Sequence, residues 1–430
     1  MSKAGDGKMG LWAVVAIGVG GMVGGGIFAV LGLAVQLAHG GTPVAFALAG
    51  VVALLTTYSY AKLSVAYPSR GGTVTFLDRV FGSGMLTGSL NVLLWLSYVV
   101  MLSLYAFAFG SYGATFLPET WQAIGKHALI SLCVITIAGL NLLSAGLIGK
   151  AESWIVGLKV AILLFFVGAG LASVDTSQIA PGSWSTPLQL AAGGMIIFLA
   201  YEGFELIANT AQDVRDAART LPRAYYTAVG FVIGLYVLVA LVTVGNLAVD
   251  KIVAAKDYAL AEAARPFLGQ AGFTLIAVAA MLSTASAINA TLYGAARLSY
   301  CIARDGELPA MLERKVWGQP AEGLLITAGL SLFVANAFDL TSISTLGSAG
   351  FLLIFAAVNT ANARHARHTN SFRWISAAGT FACFAALGAL IWQTASTGPG
   401  KLWALAGMIA LAVAIEGSYR LAKREIRLHE

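Results

Sequence analysis

Runs of about twenty or more apolar residues, separated by short polar breaks, follow one another along almost the whole chain. Each run is long enough to span the hydrocarbon of a bilayer as an α-helix. The 58% apolar and 11% charged residues are also far from the balance that a water-soluble surface needs. The runs are continuously apolar, whereas the strands of a membrane barrel alternate polar and apolar residues. The sequence therefore predicts an all-α, polytopic membrane protein.

The apolar runs predict about twelve membrane-spanning helices, with an uncertainty of several residues at each boundary. In chain order the predicted spans are 12–36, 43–67, 84–117, 127–147, 153–174, 187–210, 222–247, 270–302, 323–338, 343–362, 373–394 and 402–421. The longest connection on the predicted outer side, 248–269, is rich in charged residues. We expect it to form a short helix lying on the membrane surface.

The positions of lysine and arginine predict the orientation, because cytoplasmic loops carry more of these residues than outer loops do. With the N-terminus placed in the cytoplasm, nineteen of the 26 Lys and Arg residues fall on the cytoplasmic side and five outside, while Lys62 and Lys159 remain within spans. We therefore expect a multi-pass protein of the plasma (inner) membrane with both termini in the cytoplasm. This topology accounts for the net charge of +6, which disfavours a nucleic-acid partner.

The cysteine, histidine and glycine patterns argue against several other classes of protein. The three cysteines lie within or at the ends of spans without paired spacing, which indicates packing rather than a disulfide or metal site. All five histidines fall in predicted loops or at span ends, which disfavours a histidine proton relay and an intramembrane serine hydrolase. The chain has no nucleotide-binding glycine loop ending in Lys-Ser or Lys-Thr. We therefore expect no enzyme activity, no catalytic residues, no metal and no cofactor.

The first span contains a glycine triplet, Gly24, Gly25 and Gly26, which is predicted to interrupt the helix. Each glycine costs about 1 kcal/mol relative to alanine in a helix interior. An unwound stretch is tolerated in a membrane only where it lines a cavity or packs against protein. The amides exposed at the start of the second half-helix favour a carboxylate ligand. The alternative interpretation is close helix packing by small residues.

A second interruption is predicted in the sixth span, where two carboxylates, Glu202 and Glu205, flank Gly203. Interruptions in spans one and six are five helices apart. This is the relation expected of two five-helix inverted repeats whose broken first helices meet at a site near the middle of the membrane.

An ordered series of motifs resembles the amino acid–polyamine–organocation superfamily, and in particular its archaeal proton-coupled, broad-specificity amino acid transporters. The motifs are Gly24-Gly25-Gly26-Ile27-Phe28, Leu93-Leu94-Trp95-Leu96-Ser97-Tyr98-Val99, Ala200-Tyr201-Glu202-Gly203-Phe204, Leu221-Pro222-Arg223-Ala224, Asn289-Ala290-Thr291-Leu292-Tyr293-Gly294, Ala303-Arg304-Asp305-Gly306-Glu307-Leu308-Pro309 and Glu313-Arg314-Lys315-Val316-Trp317. The resemblance covers nearly the whole chain and weakens after about residue 340.

The resemblance implies a single transmembrane transporter domain over 1–430, with the fold of five-plus-five inverted repeats. The first repeat would be 12–174, the second 187–362, and 373–421 would add two further helices. Spans one and six would be the broken helices around which access alternates between the two sides of the membrane.

The resemblance also implies a substrate site at the two breaks. The amides of the glycine triplet would hold a substrate carboxylate, and carbonyls from about Phe198 to Tyr201 would accept from its α-amino group. The implied substrate-binding residues are Gly24, Gly25, Gly26, Ile27, Phe198, Ala200, Tyr201, Glu202 and Gly203. Aromatic residues that would gate or floor the cavity are Trp95, Tyr98, Tyr201 and Phe204.

Lys159 begins about seven residues into the fifth span, and two interpretations remain open for it. Its side chain can extend to the membrane surface, roughly 10 Å away at 1.5 Å per residue. Alternatively, as the resemblance implies, its ammonium occupies the place of the sodium ion of sodium-coupled relatives. Burial disfavours the charged form of a lysine, so this ammonium would release and regain a proton as the cavity opens and closes. Ser283 and Ser286 match positions that would accept from it.

Glu202 and Glu205 are the carboxylates predicted to lie well inside the membrane, where a charge is costly. Glu205 matches a carboxylate of several branches of the superfamily and is assigned to proton coupling with Lys159, Ser283 and Ser286; the alternative is a structural hydrogen bond. Glu202 departs from the transporters that the chain resembles. It would pair with a second amine of the substrate, or be protonated and act as an acceptor or proton carrier.

These residues and the resemblance together imply a secondary active transporter that imports amino acids by proton symport in a lipid bilayer. The alternative within the superfamily is a carrier or exchanger of amines, polyamines or cationic amino acids, which Glu202 favours. A channel or a membrane-embedded solute sensor is the alternative from a different class.

Overall fold

The computed structural model describes residues 8–143, 145–304, 321–398 and 400–421. Its α-helices are α1 Leu11–Met22, α2 Gly26–Ala38, α3 Thr42–Ala66, α4 Thr73–Phe81, α5 Met85–Ala114, α6 Glu119–Leu143, α7 Ala145–Gly170, α8 Thr176–Ile179, α9 Pro187–Ile196, α10 Ala217–Asn246, α11 Val249–Ala254, α12 Ala259–Arg304, α13 Ala321–Ala337, α14 Leu340–Arg364, α15 Arg373–Thr397 and α16 Gly400–Leu421. A long 3₁₀ helix, Phe198–Asp213, follows α9, and shorter 3₁₀ turns are Leu171–Ser173, Pro181–Ser183 and Lys256–Tyr258. The motif stretches 305–309 and 313–317 lie outside the described residues.

The all-α, polytopic architecture is confirmed. Within the described ranges, nine single helices are long and apolar enough to cross a membrane, and two bent helix pairs make two further spans. The shorter apolar helix α13 lies where the ninth of the predicted spans was placed. Contacts between helix ends define two sides of the molecule. Met9 N donates to Asp213 O at 3.1 Å on what we call the N-terminal side, and Lys126 pairs with Asp257 at 2.9 Å on the opposite side.

The first and sixth predicted spans are both broken. Helices α1 and α2 meet at an angle of 49° across Val23, Gly24 and Gly25, which is where the glycine triplet was predicted to interrupt the helix. Helix α9 and the 3₁₀ helix meet at 45° at Ile197, directly before the predicted interruption. The stretch from Phe198 onwards then continues with tighter 3₁₀ winding instead of α-helical winding.

Side-chain hydroxyls from neighbouring helices bond backbone carbonyls that the two breaks leave free. At the first break, Ser283 Oγ donates to Gly24 O at 2.6 Å and Tyr236 OH donates to Met22 O at 2.6 Å. At the second, Ser344 Oγ and Ser348 Oγ donate to Ile196 O at 2.5 and 3.1 Å. Broken backbone inside a membrane persists only with such partners. These hydroxyls therefore stabilise both breaks.

The two broken spans cross with their backbones in contact at Gly21 and Gly203. A Cβ on Gly203 would lie 2.2 Å from Gly21 C and 2.4 Å from Met22 N. A Cβ on Gly21 would lie 2.6 Å from Gly203 O. No side chain fits between the two helices at this point, so glycine is required on both.

We expect Gly203→Ala to destabilise the fold by about 1–3 kcal/mol, because the new methyl group must push α1 away. The measurement is the midpoint of thermal unfolding of the purified protein in detergent. Gly230→Ala is the matched control: Gly230 lies on α10 with nothing within 4 Å of an added Cβ, so its midpoint should be unchanged or slightly raised. Equal midpoints for the two variants would contradict the close crossing.

The connection 248–269, predicted to form a short helix on the membrane surface, contains the short helix α11, and part of it packs onto the protein. Helix α11 and the first residues of α12 pack against the end of α2, and Ile252, Leu260 and Ala264 are fully buried. Gly269, with φ of 64°, then turns the chain into the membrane-spanning part of α12. The charged residues of this segment gave no indication that Ile252, Leu260 and Ala264 are buried.

Candidate functional site

A cavity of about 420 Å³ lies beside the two breaks. Its wall is built from α1, α5, α7, α12 and the 3₁₀ helix, and it extends to Met9, Gly71 and Asn209 on the N-terminal side. Its polar wall residues include Thr73, Tyr98, Tyr105, Lys159, Glu202, Glu205, Asn209, Ser286 and Thr291. The cavity therefore gathers Lys159, Glu202 and Glu205, three of the ionisable residues that the sequence placed inside the membrane.

Glu205 is the centre of a hydrogen-bond cluster at the cavity wall. It is 2% exposed. Its Oε2 accepts from Tyr60 OH at 3.2 Å and from Thr73 Oγ1 at 3.4 Å, and its Oε1 accepts from Tyr98 OH. The three donors come from α3, α4 and α5, so this carboxyl joins three helices to the second broken span. Hydroxyl donors on both oxygens are what a buried carboxylate needs in order to remain ionised.

The carboxyl of Glu202 lies beside that of Glu205, close enough for the two groups to interact. Glu202 is 3% exposed, and among the described residues no donor reaches its Oε2. Two ionised carboxylates in contact repel each other, whereas a proton on one of them allows a hydrogen bond between the two carboxyl groups. The geometry is therefore that of a carboxyl pair that shares one proton.

Lys159, on α7, is buried with 3% exposure and lies on the same cavity wall. Its Nζ donates to Ser286 Oγ at 3.2 Å. Lys62, the other lysine in a predicted span, differs: it is only partly buried, and its Nζ reaches Asn370 O at 2.7 Å on the N-terminal side of the molecule. The side chain of Lys62 thus extends to an end of the helix bundle, and that of Lys159 points into the interior.

One face of α12 connects Lys159 to the first break. Ser286 accepts from the lysine, and Ser283, three residues earlier, donates to Gly24 O. Residues three apart lie on the same face of a helix. Both serines were predicted to face the ammonium. The structure places Ser286 there and also gives Ser283 a bond to the broken backbone.

Most of the predicted substrate-binding residues lie next to the cavity without lining it. Glu202 is the one member of that set on the cavity wall. The glycine triplet is covered: a Cβ on Gly25 would lie 2.4 Å from Tyr105 Cδ1 and 2.7 Å from Thr284 Cγ2. The other members, Ile27, Phe198, Ala200, Tyr201 and Gly203, are also buried.

Aromatic rings fill the space between the second break and its neighbouring helices. The ring centroids of Tyr201 and Tyr236 are 5.2 Å apart, and those of Phe204 and Phe355 are also 5.2 Å apart. Tyr201 OH donates to Phe46 O at 3.1 Å. In the described part of the chain, the cavity therefore ends at packed side chains near the second break and extends towards the N-terminal side.

Sequence reasoning missed Tyr60, Thr73 and Tyr105. Tyr60 and Tyr105 lie within long apolar helices, where an aromatic residue usually serves packing. Thr73 begins the short helix α4, which is not a membrane span. No local pattern marks these residues, because only the packing of α3, α4 and α5 brings them to the carboxyl pair and the glycine triplet.

A sequence profile of the family described as "Amino acid permease" matches residues 9–415 of this chain. The chain is 34% identical to the inner membrane transport protein YbaT of Escherichia coli K12, over 96% of each protein. It is 37% identical to an uncharacterized protein of Methanocaldococcus jannaschii, over 81% of this chain and 80% of that protein. It is also 25% identical to the chloroplastic cationic amino acid transporter 7 of Arabidopsis thaliana, over 97% of this chain and 76% of that protein.

Proposed function

Because the chain belongs to the amino acid permease family of the amino acid–polyamine–organocation superfamily and is a multi-pass membrane transporter, we propose that it imports amino acids by proton symport through alternating access. The proposed location is the inner membrane with both termini in the cytoplasm. The excess of Lys and Arg in loops on the N-terminal side supports this orientation, and the name of the Escherichia coli relative supports the location.

The observation that carries the coupling proposal is the buried ammonium of Lys159 at a cavity that adjoins both helix breaks. A charge held away from bulk water is costly, and water entering the opened cavity lowers that cost. Lys159 therefore exchanges a proton with water when the cavity opens. The change of charge reaches Gly24 through Ser286, α12 and Ser283, so protonation and the geometry of the first break are linked.

In this proposal the substrate carboxylate binds the amides of the glycine triplet. The support is that Gly25 has no side chain and is covered directly by Tyr105 and Thr284. A movement of Tyr105 would therefore expose the backbone amide of Gly25 to a ligand. The helix α2 begins at Gly26, and the N-terminus of a helix favours a negative group. The proposed moving parts are the two five-helix repeats, 12–174 and 187–362, with 373–421 outside them.

Glu202 supports a second candidate, the transport of substrates that carry an additional amino group. Its carboxyl is on the cavity wall, beside Glu205. An ammonium group entering the cavity can take the place of the proton that the carboxyl pair shares. The name of the Arabidopsis relative supports this class of substrate, which includes lysine, ornithine and diamines.

The test is uptake of radiolabelled amino acids into proteoliposomes with an imposed pH gradient, acidic outside. We expect saturable uptake that rises with the gradient and collapses when a protonophore is added. If the protein imports amino acids in general, unlabelled neutral amino acids should compete with the labelled substrate. If it transports substrates with an additional amino group, lysine or putrescine should compete and neutral amino acids should not. Uptake that does not saturate would indicate a channel, and uptake indifferent to the gradient would contradict proton symport.

A further inference from the structure

The segment joining α14 to α15, residues 364–373, forms a basic loop on the N-terminal side that the proposed transport does not use. It carries Arg364, Arg367, His368 and Arg373 on exposed positions. The chain has no Asp or Glu anywhere between residues 340 and 415. Within the part of the chain that the structure describes, no carboxylate lies within ion-pair distance of the three arginines. Among the residues that the structure describes, the loop is therefore a positive surface that no carboxylate neutralises.

The backbone of the basic loop is held in place from beneath by buried polar side chains. Thr369 Oγ1 donates to Asn362 Oδ1 at 2.8 Å, and Asn362 Nδ2 donates to Ser376 Oγ at 2.7 Å. All three residues are buried. Asn370, in the left-handed region with φ of 46°, turns the chain there. The positive side chains are thus presented by a defined backbone.

Helix α3 adds two further contacts to the basic loop. Lys62 Nζ donates to Asn370 O at 2.7 Å, and Tyr58 OH accepts from Phe372 N at 2.6 Å. Lys62 also places a further cation beside the three arginines. Because hydrogen bonds from α3, α14 and α15 already hold the loop in one conformation, the loop loses little conformational entropy when it binds a ligand.

The charged groups around the loop leave its positive charge in place. Arg364 lies over the ring of Phe81 on α4, 5.4 Å from its centroid. Asp78, on the same short helix, accepts from Asn91 Nδ2 at 3.2 Å. Burial raises the pKa of Asp78 to about 6, although the hydrogen bond from Asn91 acts to lower this pKa. Burial and the charges of His368 and Arg364 lower the pKa of His365, so this histidine adds little to the positive charge of the loop.

Exposed aromatic side chains at the start of α15 and along it indicate that the basic loop lies next to membrane lipid. Phe372 is 67% exposed and Trp374 is 69% exposed at the start of α15. Further along the same helix, Phe381 and Phe384 are 75% and 54% exposed. A helix with such a surface faces lipid, and tryptophan at its end marks the level of the headgroups. The basic loop therefore lies where lipid phosphates are.

We propose that the basic loop binds the phosphate of an anionic membrane lipid, such as phosphatidylglycerol, while Phe372 and Trp374 contact its acyl chains. Arginine binds phosphate through paired N–H donors, and basic residues next to a membrane helix attract anionic lipids. A nucleic acid or a soluble acidic protein fits this surface less well, because the flanking aromatic residues continue into the lipid-facing side of α15. The inference does not depend on the solute that the protein transports.

The test is equilibrium binding of fluorescent phosphatidylglycerol to the purified full-length chain in neutral detergent, with phosphatidylcholine as the uncharged probe. The variant Arg364→Gln/Arg367→Gln/Arg373→Gln should bind phosphatidylglycerol roughly tenfold more weakly or worse. The matched control is Arg215→Gln/Arg219→Gln/Arg223→Gln, which removes three exposed arginines from the same side of the molecule. It should change the affinity less than about twofold.

Equal losses in the two triple variants, or no loss in the first, would overturn the proposal. Displacement of the lipid by millimolar inorganic phosphate would assign the site to free phosphate instead. If the glutamine variant does not fold, binding by the unmodified protein decides: the affinity for phosphatidylglycerol must fall steeply as salt rises from low to high concentration, and that for phosphatidylcholine must not. A salt-independent affinity would also overturn the proposal.

Discussion

Lys159→Ala is expected to abolish the accumulation of substrate driven by a pH gradient, with a loss of at least tenfold. The reason is that the ammonium at Ser286 is the proposed proton-exchanging group, and alanine cannot take up or release a proton. Exchange of labelled for unlabelled substrate at equal pH requires no net proton movement, so it should survive in this variant. The measurement compares gradient-driven accumulation with exchange in the same proteoliposomes.

Lys62→Ala is the matched control for this prediction, because both lysines fall in predicted spans but only Lys159 is on the cavity wall. We expect normal accumulation by Lys62→Ala. If Lys159→Ala accumulates substrate as the unmodified protein does, Lys159 has no coupling role. If both variants lose accumulation equally, the loss comes from removing any lysine from a span and not from removing the lysine on the cavity wall.

Glu205→Gln is expected to lower uptake by at least tenfold and to lower the midpoint of thermal unfolding, whereas Glu202→Gln should stay within about threefold of the unmodified rate. In Glu205→Gln, an NH₂ group replaces one of the two carboxylate oxygens. That oxygen accepts either from Tyr98 or from Tyr60 and Thr73, so the new N–H donors would point at hydroxyl donors. In Glu202→Gln, the new amide donates to Glu205 as the shared proton does. Initial rates of uptake and unfolding midpoints of both variants are the measurements.

The outcome of this pair also separates the two candidate substrates. If Glu202 pairs with a second amine, Glu202→Gln should weaken competition by lysine or putrescine while uptake of neutral amino acids continues. A severe loss of all uptake in Glu202→Gln would mean that Glu202 must ionise during the cycle. Normal uptake in Glu205→Gln would contradict a central role for the Glu205 cluster.

The fold was predictable because hydrocarbon leaves few choices to a backbone. Apolar runs of sufficient length become helices, and the glycine triplet, with its repeated cost to a helix, marks the break between α1 and α2 at the right place. Gly203 was a weaker guide. The bend lies at Ile197 instead, because Gly203 serves the close crossing with Gly21, and the sequence does not distinguish a glycine that unwinds a helix from one that lets two helices touch.

From the residues alone, the candidate site was predictable in its charged members, and the resemblance to a known family added Tyr98 and Ser286. Lys159, Glu202 and Glu205 stand out because charge inside a membrane is costly and therefore rare. Their partners do not stand out: Tyr60 and Thr73 reach Glu205 from separate elements, and nothing in their local sequence indicates it. The folding of 248–269 onto α2 was missed for the same reason, since burial there depends on a surface formed by distant residues.

The central claim is that the two broken helices border a hydrated cavity that opens to one side at a time. The most direct measurement is the rate at which a membrane-impermeant maleimide labels Ala290→Cys, on the cavity wall, in a background with Cys133, Cys301 and Cys383 replaced by serine. The account predicts labelling from the N-terminal side that slows when substrate is added, and no labelling of Leu282→Cys, which is exposed on the same helix and should face lipid. An Ala290→Cys that stays as unreactive as Leu282→Cys from both sides of the membrane would contradict it.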